Sequence, residues 1–402
     1  MPEAVDRGGK LATVVVTEES VARSTYLYEI GKKLQRICSS LTFTELEMQQ
    51  PPNTACFEQG RAGFGSNGWV TGNYVAPFME GWKSELVSMS YTPFSGVVES
   101  RGIPKVSALE LANQCRSEWI VMIEDEKGNQ VFEERFGTPY FVDVPGCQCS
   151  KCFSRPPVKL YKPDRDFSVY PISARVAAVK EPGKVRTVTA GEAYAYSVCY
   201  GYQKQVHSWL RKMPGFELIG RPMEKWFLRQ LDRKATRAGF PADVREDEDG
   251  YLQDTFHLSA DFTAATDLVD SDLTELCHMI MADRGDFHPS VRKVLDACIK
   301  GHRIHYPGSP EDRVLNDLFS CVQQNGQLMG SPLSFPILCL VNFCVAWHSL
   351  WPELKYEDVP VLVNGDDMLT RTNKSRYRNW LNHIENAGLI RSVGKNFLHK
   401  KF

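Results

Sequence analysis

The sequence has almost no net charge and no long hydrophobic run, and each absence excludes a class of protein. Its 402 residues include 47 lysines and arginines against 49 aspartates and glutamates, a net charge of −2. That balance excludes a uniformly basic nucleic-acid coat protein. The longest apolar run, residues 335–347, is shorter than the roughly 20 residues that a membrane-spanning helix needs. We therefore expect a protein without a membrane span.

The N-terminus lacks the signals of export and of import. MPEAVDRGGKLATVVV has neither the apolar core and cleavage site of a signal peptide nor the Arg- and Ser-rich composition of a transit peptide. The sequence therefore predicts a protein of the cell interior, whose 12 cysteines are expected to be reduced.

Cysteine is too sparse for a disulfide scaffold, but three of the twelve lie close together. Cys147, Cys149 and Cys152 in PGCQCSKCF have the density of a zinc site, which would need a fourth ligand from elsewhere in the chain. No second cysteine pair follows at the spacing usual for zinc sites. Reduced, metal-free cysteines are therefore the favoured interpretation, and structural zinc is the alternative.

The balanced total conceals a strongly basic segment. Residues 151–240 contain 18 lysines and arginines against 7 aspartates and glutamates, which indicates an anionic partner for the middle of the chain. A stretch rich in Cys, Pro and basic residues at 146–168 and an acidic connector at 241–250 are typical of boundaries. The predicted regions are an N-terminal region at 1–145, a basic region at 146–250 and a C-terminal region at 251–402.

A hairpin that carries two carboxylates is the clearest chemical feature. VPVLVNGDDMLTRT, residues 359–372, is an apolar run, an Asn-Gly pair and a second run, which is the strongest short signal for a β-hairpin. Asp366 and Asp367 then lie at its tip. An exposed turn is the simple alternative for Gly-Asp-Asp alone. The apolar first strand, however, indicates a central position in a sheet, where two like charges need a cation.

A second pair of carboxylates precedes this hairpin. SADFTAATD, residues 259–267, places Asp261 at the end of a predicted strand and Asp267 six residues later. If that strand neighbours the hairpin, Asp261 and Asp366 can share divalent ions. Oxygen ligands suit Mg²⁺ or Mn²⁺ rather than zinc, and two such ions about 4 Å apart activate a hydroxyl and stabilise a leaving group. For Asp261 alone, a helix cap is the alternative.

A glycine-rich loop leads into a predicted buried helix. GQLMGSPLS, residues 326–334, contains two glycines, which allow the backbone to approach a ligand closely. The apolar run that follows, FPILCLVNFCVAW, is long enough to favour a helix over a strand. Asn342 is a polar residue within this run and needs hydrogen-bond partners. It either satisfies backbone groups in the core or faces a ligand hydroxyl, and the sequence leaves both open.

Isolated cations complete the set of candidate residues. Lys180, Lys184 and Arg186 lie in KEPGKVRT within the basic segment and are expected to bind phosphates, with a solvated charged loop as the alternative. Lys395 in GKN can protonate a leaving pyrophosphate if it lies near the carboxylates. Otherwise it is a surface lysine.

The order of these segments resembles that of a known family. A basic loop, DxxxxxD, a glycine loop with Asn, GDD and Lys follow one another as motifs F, A, B, C and D do in viral RNA-dependent RNA polymerases. KEPGKVRTV, SADFTAATD, GQLMGSPLSFPILCLVN, NGDD and GLIRSVGKN are most similar to the segments of the ourmia-like viruses (botourmiaviruses), relatives of the narnaviruses and mitoviruses. The resemblance covers roughly residues 170–400.

The resemblance implies a fold and an activity. The fold is an α+β right hand, with an antiparallel palm sheet and helical fingers contributed from upstream, including the N-terminal region. The activity is template-directed RNA synthesis in the replication of a positive-strand RNA virus. RNA template, nascent RNA and NTPs are the implied partners, and two Mg²⁺ or Mn²⁺ ions the implied cofactors. The expected compartment is the host cytoplasm, with the mitochondrion as the alternative.

Individual roles also follow from the matched motifs. Asp261 and Asp366 would bind the metal ions with Asp367 accessory, and Lys395 would act as the general acid. Asp267 would sense the ribose 2′-hydroxyl. The implied nucleotide-binding residues are Lys180, Lys184, Arg186, Asp267, Ser334 and Asn342. The implied residues beside the templating base are Gly330 and Ser331.

Two features depart from the family pattern. The spacing in motif B differs from the common SGxxxTxxxN form, which bears on Ser331 and Ser334. Only 35 residues follow Asp367, whereas the family continues through a further hairpin and a helical thumb. We therefore expect a missing or truncated thumb, from an incomplete sequence or with the thumb on another polypeptide.

Two other functions share parts of this pattern. A reverse transcriptase has the same palm, although Asp267 and Gly365 speak against it. A non-catalytic RNA-binding replication protein would follow if the chain naturally has no thumb.

Overall fold

The structure is a computed structural model. It describes residues 18–46, 54–57, 165–240, 255–306 and 320–399, with residues 65–66, 109 and 112 and the backbone of five short strands elsewhere. Among the described residues no helix is long and apolar enough to cross a membrane. The three clustered cysteines and the acidic connector at 241–250 lie outside the described residues, so the zinc site and the domain boundaries stay predictions.

Helices and strands alternate along the chain in a mixed α+β arrangement. The described helices are α1 Glu18–Cys38, α2 Ala193–Leu210, α3 Lys225–Arg237, α4 Ala265–Leu268, α5 Ser271–Ala282, α6 Pro289–Ala297, α7 Ser334–Leu350 and α8 Lys374–Asn386. The strands are β1 Ala4–Val5, β2 Leu11–Ala12, β3 Glu118–Glu124, β4 Gln130–Phe136, β5 Val158–Leu160, β6 Ser173–Glu181, β7 Lys184–Gly191, β8 Thr255–Ala260, β9 Phe262–Thr263, β10 Arg303–His305, β11 Ser320–Val322, β12 Val361–Asn364, β13 Asp367–Asn373, β14 Ile390–Arg391 and β15 Phe397–His399.

The central sheet consists of four antiparallel strands in the order β12-β13-β8-β15. Side chains alternate between its faces, so the apolar pattern is split between two hydrophobic clusters. One face adds Val361, Val363 and Met368 to the main core. The opposite face packs Leu362 and Leu369 against α3. The predicted strand before Asp261 is β8, and it is a direct neighbour of the predicted hairpin in this sheet.

Helix α7 is the centre of the main core. It is apolar on nearly all sides, as the sequence predicts, and 15 of its residues are buried. Helices α1, α5 and α8 and strand β12 all contact it. A helix with no polar face is stable only when other elements surround it. Helix α7 is therefore enclosed by these helices and by strand β12 of the central sheet.

The basic segment contains a β-hairpin, not only helices. Strands β6 and β7 pair antiparallel around Pro182-Gly183 and join β10 and β11 in a second four-stranded sheet. The turn uses Gly183 at φ +79°, and the strands are rich in Val and Thr, which favour extended structure. The expectation of helical fingers is thus wrong for this hairpin, although helices α2 and α3 follow it.

A buried ion pair holds the base of this hairpin. Arg165 donates from Nη1 and Nη2 to the two carboxylate oxygens of Glu192 at 2.8 and 2.9 Å, and both side chains are almost fully buried. The backbone N–H of Ser173 donates to the same carboxylate at 2.8 Å. Glu192, the residue that precedes α2, therefore holds the start of β6 and the Arg165 side chain beside the first turn of that helix.

Candidate active site

The carboxylate hairpin consists of strands β12 and β13 and the turn between them. This turn lies at one end of the strands of the central sheet. Asn364 pairs with Asp367, so the two turn residues are Gly365 and Asp366. The predicted Asn-Gly turn is therefore displaced by one residue. Gly365 has φ +71°, a conformation that glycine adopts without strain. The displacement puts Asp366 on the tip itself and Asp367 at the start of β13.

The buried Asn342 supports this turn from behind. Its Nδ2 donates to the carbonyl oxygens of Gly365 at 3.1 Å and Asp366 at 3.3 Å, and the side chain is about 1% exposed. The N–H of Gly365 donates to Cys339 Sγ, also on α7, at 3.1 Å. Of the two roles that the sequence leaves open for Asn342, the structure shows the first. Helix α7 therefore positions the hairpin tip through its polar side chains.

Asp261 lies beside the hairpin tip because of the strand register. Met368 pairs with Ala260 in antiparallel register. Asp367, just before Met368, and Asp261, just after Ala260, therefore lie at the same end of the sheet. Lys395 Nζ donates to Asp261 Oδ2 at 3.0 Å. The structure thus brings together four predicted residues, the carboxylates of Asp261, Asp366 and Asp367 and the ammonium of Lys395.

Two neighbours of Asp261 were not found from the sequence. Ser392 Oγ donates to Asp261 Oδ1 at 3.2 Å, and Asn396 Nδ2 donates to the Asp261 carbonyl at 3.1 Å. Both lie in SVGKN beside Lys395. The sequence pattern points to this segment through its lysine, and the two neighbouring polar side chains are the signal for these contacts.

The hairpin carboxylates resist ionisation. Desolvation raises the pKa of Asp366, and the neighbouring Asp261 charge adds to it, while Arg186 and Lys395 oppose the rise. Desolvation likewise raises the pKa of Asp367, with further contributions from the Asp366 and Asp261 charges. Like charges held together in this way are stabilised by a nearby cation.

The donor set suits a hard divalent cation, but the side chains do not yet converge on one. Three carboxylates close enough to perturb one another supply the oxygen ligands that Mg²⁺ and Mn²⁺ prefer. Within the described residues, however, no three His, Cys, Asp or Glu side chains are arranged to hold a metal ion. The Asp261 carboxylate is instead paired with the Lys395 ammonium.

Asp267 lies in the short helix α4, which packs against the glycine loop, residues 326–333. A Cβ on Gly326 would stand 2.3 Å from the Asp267 carbonyl oxygen, and the Gln327 N–H donates to the Thr266 carbonyl at 2.6 Å. Ala264, just before α4, takes a left-handed φ of +46°. Desolvation raises the pKa of the Asp267 carboxyl. The backbone around Asp267 and the backbone of the glycine loop therefore pack directly against each other at Gly326.

Gly326→Ala tests this close contact. We expect a loss of about 1–3 kcal/mol beyond the left-handed strain of about 1–2 kcal/mol, because a new methyl group would overlap backbone atoms that cannot move aside. Gly301→Ala is the matched control, since Gly301 has a similar φ of +77° and open space around it. Denaturant unfolding of the two variants measures the difference, and equal losses would contradict the contact.

The rest of the glycine loop docks on β7. Gly330 has φ +125°, and a Cβ there would stand 2.1 Å from the Thr189 carbonyl oxygen. The Thr189 N–H donates to the Met329 carbonyl at 2.7 Å. Ser334 Oγ donates to the Leu328 carbonyl at 2.7 Å, and Ser331 Oγ accepts from the Leu333 N–H at 3.4 Å. Both serines thus stabilise the loop itself, and their predicted contacts with nucleotide and template stay predictions.

The cations of the basic hairpin are only partly assembled. Arg186 forms an ion pair with Glu181 at 2.9 Å across the hairpin, and its charge reaches Asp366. Lys180 is exposed on the same hairpin. The side chain of Lys184 lies outside the described residues. Arg186 is thus the predicted phosphate ligand that the structure places in electrostatic range of the carboxylates.

Comparison with known proteins agrees with the motif order. Over 243 residues, 58% of this chain, the sequence is 31% identical to the RNA-dependent RNA polymerase of Ourmia melon virus. Over 189 residues, 46% of this chain, it is 29% identical to the RNA-directed RNA polymerase of Saccharomyces 23S RNA narnavirus. These segments are 26% and 17% of the relatives, so the chain spans well under two thirds of the length of either.

Other comparisons are weaker. No protein-family model matches the chain. The structure overlays on the RNA-dependent RNA polymerase of a human picobirnavirus with a TM-score of 0.39 and 12% identity, covering 57% of this chain and 41% of that one. An insertion-loop deletion mutant of the same polymerase gives 0.38 and 14%, covering 57% and 43%. By these two sequence matches, roughly half of the chain is related in sequence to the RNA polymerases of Ourmia melon virus and Saccharomyces 23S RNA narnavirus.

Proposed function

We propose that the protein synthesises RNA on an RNA template, as the replicating polymerase of a positive-strand RNA virus. The observation that carries the proposal is the meeting of Asp261 with Asp366 and Asp367 at the end of one antiparallel sheet. In a right-hand polymerase this sheet is the palm, and the basic hairpin belongs to the fingers. Similarity to two viral RNA polymerases supports the same assignment. Activity in the host cytoplasm stays a prediction from the sequence.

The carboxylates are proposed to hold two Mg²⁺ or Mn²⁺ ions. When bound, the ions activate the 3′-hydroxyl of the nascent strand and stabilise the pyrophosphate leaving group. Asp261 and Asp366 contribute the principal ligands and Asp367 an accessory one. Asn342 holds the tip of the hairpin, so the ligand positions depend on α7. Substitution of a residue that orients metal ligands in this way is expected to reduce metal affinity or activity nearly as much as substitution of a ligand.

Nucleotide binding is proposed to use the surrounding loops. Arg186 holds the triphosphate with Lys180 and Lys184, and Asp267 accepts a hydrogen bond from the ribose 2′-hydroxyl. Ser334 and Asn342 keep the loop and the hairpin tip in register for that contact. Gly330 and Ser331 lie in the loop proposed to meet the templating base.

Lys395 is proposed to donate the proton that the leaving pyrophosphate takes up. Its hydrogen bond with Asp261, and the charge of that carboxylate, raise the pKa of the ammonium group, so it stays protonated at neutral pH. We expect Lys395→Gln to lower the incorporation rate by about 10²-fold or more, with less effect from Lys395→Arg, which keeps a cationic proton donor. Lys32→Gln, which removes an exposed lysine on α1, is the control. An unchanged incorporation rate in Lys395→Gln would exclude the role.

Primed RNA extension tests the proposed function. The protein, a primed RNA template and Mg²⁺ are mixed with either NTPs or dNTPs, and extended primer is measured. We expect efficient incorporation of NTPs and poor incorporation of dNTPs, because Asp267 is available to a 2′-hydroxyl. Preference for dNTPs would identify a reverse transcriptase. RNA binding without any incorporation would identify a non-catalytic replication protein.

A further inference from the structure

A cluster of cations outside the predicted site lies beside the carboxylate hairpin. Arg211 and Lys212 follow α2, Arg221 precedes α3, and all three side chains are exposed. They line one cavity of about 440 Å³, together with Lys204 and His207 of α2 and two neutral polar residues. We call this space the basic cavity. None of its cations belongs to the polymerase motifs that the sequence matches.

Three cations of the basic cavity have no described partner. Arg211, Lys212 and Arg221 form no side-chain hydrogen bond or ion pair with any residue that the structure describes. Uncompensated cations that converge on a concave surface attract an anion.

The positive charge of the basic cavity also acts on His207. Desolvation lowers the pKa of its imidazole, and the charge of Arg211 lowers it further. The ring is therefore neutral at pH 7 and adds no charge of its own. It can still donate or accept a hydrogen bond at the wall of the cavity.

The basic cavity and the carboxylate hairpin have a lining residue in common. Arg221 also lines a second cavity, of about 320 Å³, whose other lining residues include Asn364 and Asp367. Separately, the His207 ring lies 5.7 Å from the Phe335 ring, and the Phe335 ring lies 3.2 Å from where a Cβ on Gly365 would stand. The basic cavity therefore lies near the carboxylate hairpin.

We propose that Arg211, Lys212 and Arg221 bind the sugar–phosphate backbone of a single-stranded RNA segment that continues along the second cavity to the carboxylate hairpin. The proposal rests on the proposed function and adds a binding site to it. Arginine gives phosphate a bidentate contact and lysine a point charge. A basic groove that follows the backbone is the usual way in which proteins bind single strands without reading sequence.

The shared lining residue, Arg221, favours a strand over a free nucleotide. One triphosphate would occupy one of the two cavities, whereas successive phosphates of a strand would use both. Arg221, which lines both, then contacts the backbone where it passes from one cavity to the other. A free NTP has the same phosphate chemistry, so the test includes it as a competitor.

Equilibrium RNA binding without Mg²⁺ or NTP tests the site independently of catalysis. Fluorescence anisotropy of a labelled single-stranded RNA is measured between 0.05 and roughly 0.3 M salt, a range in which phosphate contacts dominate affinity. The variants are Arg221→Gln and Arg211→Gln/Arg221→Gln. Arg378→Gln is the matched control, because Arg378 is an exposed arginine on α8, a helix that packs against α7. All three altered side chains are exposed, and circular dichroism checks the fold.

We expect each lost arginine to reduce the slope of log K against log salt by about 1, and the double variant to bind RNA about tenfold more weakly at low salt. Arg378→Gln should leave affinity and slope unchanged. Equal slopes in all variants would overturn the proposal. It would also be overturned if ATP displaced the RNA stoichiometrically from the wild type but not from the double variant, because the site would then bind a free nucleotide.

The two proposals fail in different ways. If the site binds RNA as described and the protein incorporates no nucleotide, the proposed function is wrong and the site stands. If the double variant binds RNA normally and the wild type extends primers, the site is wrong and the function stands.

Discussion

Asp366→Asn is expected to lower nucleotide incorporation by about 10³-fold or more while leaving the protein at least as thermally stable as the wild type at neutral pH. Loss of a carboxylate ligand removes charge stabilisation worth several kcal/mol in the transition state. The amide is nearly isosteric, so the turn should keep its shape. Incorporation and thermal unfolding are measured on the same preparations.

The stability half of this prediction follows from the direction of the pKa shift. The pKa of Asp366 is raised by desolvation and by the Asp261 charge, so the carboxyl binds its proton more tightly in the folded protein than in the unfolded chain. Its ionised form therefore opposes folding at neutral pH. This penalty declines as the pH falls from the raised pKa of the folded protein to the ordinary carboxyl pKa of about 4, below which it is absent. The Tm advantage of Asp366→Asn should vanish over the same range.

Added Mg²⁺ should raise the Tm of the wild type more than that of Asp366→Asn, since only a ligand that binds the folded state stabilises it. Asp286→Asn is the control, because Asp286 is exposed in the loop between α5 and α6. It should change neither incorporation nor the response to Mg²⁺. A fully active Asp366→Asn enzyme would contradict the assignment of the site.

Glu192→Ala is expected to produce the largest loss of stability, about 3–5 kcal/mol. The change leaves the guanidinium of Arg165 buried without its carboxylate partner, which costs far more than the intact pair contributes. It also removes the acceptor for the Ser173 N–H, at the base of the basic hairpin. We therefore expect a lower denaturant midpoint and, at temperatures where the variant stays folded, weaker triphosphate binding.

Glu181→Ala is the matched control for this prediction. Glu181 pairs with Arg186 in the same hairpin, but both side chains are more than a third exposed, and such pairs are worth about 0–1 kcal/mol. Equal losses in Glu192→Ala and Glu181→Ala would show that burial of the Arg165 pair does not matter.

The elements around the carboxylates could be predicted because their signals are local. Alternating valines before Gly365 predict a strand, and the uninterrupted apolar run around Asn342 predicts a buried helix. Asp270, just before α5, is a residue type typical of helix caps, and its side chain accepts the N–H groups of Asp272 and Leu273. In each case a few adjacent residues determine the backbone conformation, so the sequence contains the information directly.

The contacts that position the site could not be predicted in the same way. Asn396 bonds the Asp261 carbonyl from 135 residues away along the chain, and Gly326 touches the Asp267 backbone because two loops meet in space. The turn is shifted because Asn364 joins the β-ladder instead of occupying the turn. Such features depend on strand register and packing, which no short stretch of sequence specifies.

The most direct test of the central claim is incorporation of a single nucleotide on four primed RNA templates that differ only in the templating base. The protein is given Mg²⁺ and one NTP at a time, and extension by one residue is measured. The account predicts that each template accepts its complementary NTP alone and that omission of Mg²⁺ prevents extension. Addition of the same nucleotide on all four templates, or no extension of RNA that the protein demonstrably binds, would contradict template-directed RNA synthesis at the carboxylate hairpin.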